Sequence, residues 1–208
     1  PSLNQLAEQL TKYSLQLNES GQKQSLHYTL MTQQTVEALT GSNFPAGLDG
    51  SHYIEEEMLV KYKSNNHKTA MCLHYYYKGL LALIYGENLD AEQYFTEALI
   101  YSPYISGTYT APYLAFFETL NNLILVEQTS ILEQSHRIKR AKRYLKSVEK
   151  LKKHSFENHH HHWLLIKAML FMVDRKYSTA IDYFDQAISH AQQQSFVLDH
   201  AISLELVG

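Results

Sequence analysis

Four consecutive histidines, His159 to His162, are the residues of this chain best suited to chemistry, because imidazoles three or four apart on one helix can share a zinc ion. The run follows Asn158, a good N-cap, and precedes Trp163 and an apolar segment, so it reads as the solvated first turn of a helix. No cysteine lies nearby and the other histidines are scattered. The expectation is therefore weak nickel affinity in vitro, with no metal and no cofactor of the protein's own. A second chemistry-bearing stretch runs from residue 137 to residue 153. It holds nine basic side chains against Glu149 alone, a net of +8 in a chain whose total is −3, so the remainder carries −11. Ile138, Ala141, Leu145 and Val148 recur on one face of that stretch, so the helix should pack through them and show its charge to water. Arg137, Arg140 and Arg143 are the candidate basic surface, suited to an acidic protein partner, and reversing all three to Glu should leave the fold intact. The narrow, regular apolar stripe argues against nucleic acid and membrane as targets.

Catalytic chemistry finds no support in the pattern. GxSxG, HExxH, CxxC and glycine-rich phosphate loops are all missing, and Glu55, Glu56 and Glu57 form a run rather than a spaced acid/base pair. Cys72, the single cysteine, falls in an apolar helical stretch and reads as a buried thiol. The sixteen tyrosines, Tyr75, Tyr76 and Tyr77 among them, suit helix packing with hydroxyls that reach water. These residues imply no catalytic site.

The elements that must position these residues are helices. Hydrophobic residues make up 45% of the 208, with only 8 Gly and 4 Pro, so the chain can bury a core and lacks the turn density of many short strands. No apolar run reaches the roughly 18 residues that cross a bilayer, and no signal peptide opens the chain, which points to a cytoplasmic setting. Helical spacing of Leu3, Leu6, Leu10, Tyr13 and Leu17, resumed by Leu26, Leu30 and Val36 after Gly21, predicts a divergent helix pair over 1–39. Gly41, Pro45, Gly47 and Gly50 predict a loop over 40–52, and the acids after Ile54 suit the first turn of a short helix. Hairpin helices are expected over 111–128 and 131–152. A last helix from about Val197 reads as half of a further unit, as if the chain were a piece of a longer polypeptide.

Two segments share one register. In HYYYKGLLALIYGENLDAEQYFTEALIYSP, Tyr75, Gly79, Ala82, Ala91, Phe95, Ala98 and Pro103 occupy the positions of the 34-residue tetratricopeptide signature. In WLLIKAMLFMVDRKYSTAIDYFDQAIS, Ala168, Phe171, Ala180, Phe184 and Ala187 do the same. Small residues there let two helices approach, and the aromatic fills the space between them. The fold class expected is all-α, with antiparallel helix pairs stacked as a tetratricopeptide-like right-handed superhelix over 53–208, the last unit truncated.

The segments IEEEMLVKYKSNNHKTAMCLHYYYKGLLALIYG and FENHHHHWLLIKAMLFMVDRKYSTAIDYFDQAISHAQQQSF also resemble the helical repeat region of large bacterial multidomain signalling proteins, which join kinase-like, ATPase, sensory and often histidine kinase domains. The resemblance implies a non-catalytic interaction scaffold within a signalling polypeptide. It maps the groove-lining positions to Leu73, Tyr76, Leu80 and Leu83 in one unit and to His162, Leu165, Met169 and Met172 in the other. Being mostly apolar, that groove suits a helix from the same polypeptide or a partner. The alternative is a regulatory domain that senses a small molecule in the groove, and the truncated C-terminal unit offers a route to self-association.

Overall fold

The computed structural model describes residues 2–41 and 47–207. Among them there is no strand, and ten α-helices follow one another: α1 Leu3–Glu19, α2 Lys23–Thr40, α3 Glu55–Ser64, α4 Lys68–Ile84, α5 Asn88–Tyr101, α6 Thr110–Ile124, α7 Ile131–Lys152, α8 Phe156–Val173, α9 Tyr177–Gln193 and α10 Val197–Glu205. The expected loop over 40–52 is non-helical at Gly41 and from Gly47 to Ser51, and positions 42–46 lie outside the described residues. No helix among the described residues is long and apolar enough to cross a membrane. The chain divides into two compact units, with the boundary inside α6 after Leu114.

One local device recurs. Six of the connections are three residues long, and in five of them the central residue has a left-handed backbone: Gly21, Asn66, Gly86, Arg175 and Ser195. Each closes the preceding helix with the paired bonds of a Schellman motif, as where Glu87 N–H reaches Ala82 O at 2.8 Å and Gly86 N–H reaches Leu83 O at 3.1 Å. The same pair appears at Lys176 to Phe171 and Arg175 to Met172, both 2.9 Å. So short a link turns the chain sharply, and α1/α2, α4/α5, α8/α9 and α9/α10 pack against one another as hairpins.

In the first unit, α4 and α5 pack across the small residues of the signature. Ala91 and Ala98 are fully buried, and a Cβ added to Gly79 would meet the Phe95 ring at 2.6 Å, so only glycine fits there without displacing that ring. Phe95 fills the seam, and Cys72 is buried with its Sγ donating to Ala98 O at 3.3 Å. Burial pushes that thiol up to about 12. Tyr75 stacks on Tyr101 of α5, and Pro103 lies in the 3-10 turn that ends the pair. The α1 helix opens on a capping box between Ser2 and Gln5 but contributes no buried residue.

The second unit contains the later part of α6 and all of α7 to α10. Ala168, Ala180, Phe184 and Ala187 bury the α8/α9 seam, and Phe171 stacks on Tyr183. Along α7, Ala141, Leu145 and Val148 are buried as expected, while Ile138 is half-buried. Ser130 caps this helix by accepting from Glu133 N–H.

Candidate functional site

The helix α8 begins at Phe156, so Asn158 is not its cap; it sits inside the first turn with its amide on Ser155 Oγ at 2.7 Å. The histidine run is correspondingly deeper than a solvated first turn. His159 and His160 are half-buried, whereas His161 and His162 are 2% and 1% exposed, which corrects the solvated reading for that pair. The reason is tertiary: α10 returns over this end of α8 after the Ser195 turn and covers it. Phe196 stacks on His161 with ring centroids 4.5 Å apart, and Phe116 stacks on His162 at 3.9 Å.

Asp199, in the first turn of α10 and itself 3% exposed, points its carboxylate at both buried rings. His162 Nε2 lies 3.0 Å from Oδ1, a hydrogen bond, and His161 Nε2 lies 3.5 Å from Oδ2. Burial alone would raise the Asp199 carboxyl, but the two imidazoles facing it outweigh that and hold it well below the usual carboxylate range. Burial lowers His162 to about 4, so its ring is neutral near pH 7. His161 Nδ1 is buried and meets no hydrogen-bond partner among the described residues, an arrangement that costs about 1–3 kcal/mol where nothing compensates it. His161, His162 and Asp199 together offer three ligand atoms within 4.8 Å of one another. Sequence reasoning missed Asp199 because 37 positions separate it from His162, and an acid in a first turn reads simply as a partner of the helix dipole.

The basic stretch is divided by the fold. Arg137 is buried, its Nη1 donating to Asn122 Oδ1 and its Nη2 to Glu133 Oε1, both at 2.8 Å. It occupies the position one turn before Ala141 on the buried stripe, so it is not part of a surface, and reversing it to Glu would leave the fold without a required cation. Arg140 is half-exposed and pairs with Glu118 at 2.5 Å. Lys152 lies along Trp163, its Nζ 4.0 Å from the ring centroid. Arg143 is exposed, together with Lys139, Lys142, Lys146, Lys150 and Lys153, and these carry the accessible charge.

The expected groove is not an open surface. Tyr76, Leu80, Leu83, His162, Leu165 and Met169 are buried, Leu73 is half-buried, and only Met172 is exposed. A polar cluster in the first unit was likewise invisible in sequence. Glu55 turns inward from the acidic run to meet Lys78 Nζ at 2.5 Å, with His74 Nε2 at 3.7 Å, while Tyr53 Oη bonds His74 Nδ1 at 3.0 Å. His74 and the Lys78 ammonium facing it hold Glu55 down to about 2 against the cost of burial. The order of tyrosine, histidine and glutamate has the form of a proton relay, but Tyr53 and His74 are buried, and the cluster ties α3 to α4.

No protein-family model, curated protein or solved structure matches this chain.

Proposed function

We propose that this chain is a non-catalytic scaffold of helical hairpins that docks an acidic protein surface through the exposed basic face of α7. In this reading the hairpins stack as a tetratricopeptide-like right-handed superhelix and serve the signalling domains of a larger polypeptide. The observation that carries the proposal is charge segregation: Lys139, Lys142, Arg143, Lys146 and Lys150 are exposed on α7, with Lys153 exposed just past its end, while the chain outside 137–153 carries −11. A helix of 22 residues spans about 33 Å at ~1.5 Å per residue, which fits a local acidic patch. A long polyanion such as duplex nucleic acid would run past the basic helix and meet the acidic remainder. The small-molecule alternative needs an open groove, and most of its lining residues are buried.

The test compares the parent chain with a variant in which Lys139, Lys142, Arg143 and Lys146 become Glu. Arg137 and Arg140 are spared, since they are tied to Asn122, Glu133 and Glu118. Anisotropy of a labelled polyglutamate peptide and of a labelled DNA duplex is followed across a salt series. Peptide binding that weakens steeply as ionic strength passes roughly 0.1 M, and disappears in the variant, is the expected result. Equal affinity and salt dependence for parent and variant, or tighter binding of the duplex, overturns the proposal.

A further inference from the structure

We propose that His161, His162 and Asp199 form a binding site for a single divalent transition-metal ion of the zinc class, which staples α10 to α8. Imidazole nitrogen with carboxylate oxygen is a donor set for zinc and its neighbours rather than for calcium or magnesium, which prefer oxygen alone. The spacing agrees with this. A tetrahedron with metal–ligand bonds of about 2.0–2.1 Å has edges of about 3.3 Å. The Nε2-to-carboxylate distances, 3.0 Å from His162 to Oδ1 and 3.5 Å from His161 to Oδ2, lie near that edge, and the three ligand atoms all fall within 4.8 Å of one another, close enough for small side-chain shifts to gather them on one ion. Protein ligands would fill three positions, and the second oxygen of Asp199 or a water would suffice for the fourth.

Three further features separate this site from an ordinary buried hydrogen-bond cluster. His161 Nε2 stands too far from Asp199 Oδ2 for a good hydrogen bond, and its Nδ1 has no hydrogen-bond partner among the described residues, so this buried ring lacks what ordinarily fixes a core histidine. Phe116 and Phe196 stack against the two rings, fixing their planes and giving the ion the dry wall that strengthens its bonds. The carboxylate belongs to α10, a nine-residue helix too short to persist in isolation, so a ligand reaching across to α8 has a structural task to perform. Because the site is buried, uptake requires α10 to lift, and binding should be slow.

The experiment must distinguish this site from the half-buried His159 and His160, which alone give a histidine run some affinity for metals. Chelator-treated full chain is titrated with zinc against a chromophoric competitor, alongside H159Q/H160Q, H161Q and D199N, with circular dichroism reporting the fold of each. The expected result is one zinc per chain, retained within about threefold in H159Q/H160Q and weakened at least about 100-fold in H161Q and D199N, since even neighbours of metal ligands cost 10–100-fold. Zinc should also raise the Tm of the parent, because it binds only the folded site. Should H161Q or D199N fail to fold, imidazole 15N shifts of the parent decide the matter: zinc must move the Nε2 resonances of His161 and His162. Binding that follows His159 and His160, zinc-induced shifts confined to those two rings, or a Tm that zinc leaves unchanged overturns the site.

Discussion

Individual residues in this chain do their work by being buried in unexpected company. Glu55 is one of three consecutive acids, yet it alone turns inward to Lys78 and His74, and that contact sets a pH dependence. Its carboxyl is depressed in the folded chain, to about 2 from 4.5, so its contribution is fully present above about pH 4.5 and is lost as pH falls through about 2. Glu55→Gln should therefore destabilise the protein by about 1–3 kcal/mol at neutral pH, an upper range set by the size of the shift. The gap between variant and parent in urea unfolding should close as pH is lowered from 4.5 toward 2. A gap that stays constant across that range would mean the side chain acts through packing and not through its charge. Arg137 shows the same principle with opposite sign, because a cation placed in the apolar stripe is held by Asn122 and Glu133 and cannot be treated as surface.

Among elements, the recurring unit is the hairpin, and its decisive part is the three-residue turn. Gly21 and Gly86 adopt the left-handed backbone without cost, but Asn66, Arg175 and Ser195 do so at φ of 52°, 59° and 61°. An L-residue in that region costs roughly 1–2 kcal/mol, less for Asn, whereas glycine gives back part of that through its freedom in the unfolded chain. Arg175→Gly and Ser195→Gly should each raise stability by about 0.5–1 kcal/mol, read as a higher denaturant midpoint with an unchanged slope. Neither side chain belongs to the basic face or to the histidine cluster, so no binding should change. A lower midpoint would show that side-chain contacts of Arg175 or Ser195 outweigh the backbone strain.

For the whole molecule, protection is distributed unevenly between the helices. The α4 helix buries ten of its residues and α1 none, although the two are equally long. Native-state hydrogen exchange should accordingly rank α4 among the slowest segments and α1 among the fastest, with α10 opening before α8. Zinc bound at His161, His162 and Asp199 would slow α10 selectively. If α1 exchanges as slowly as α4, its apolar face must be covered in solution.

Much of this was legible along the chain because helices are local. Period, caps and breakers act within a few residues, and the ranges over 131–152 and after Val197 coincide with α7 and α10. The small residues at Gly79, Ala91, Ala98, Ala168, Ala180 and Ala187 marked the close seams, since a position that admits no larger side chain is visible in composition alone. Sequence did not reveal which polar residues face inward. Arg137 against Arg143, Glu55 against Glu56, and His161 and His162 against His159 are alike in type and differ only in what another helix brings to them. Asp199 meets the histidines because a turn at Ser195 folds α10 back onto α8, and the energy of a buried charge depends on partners that lie tens of residues away.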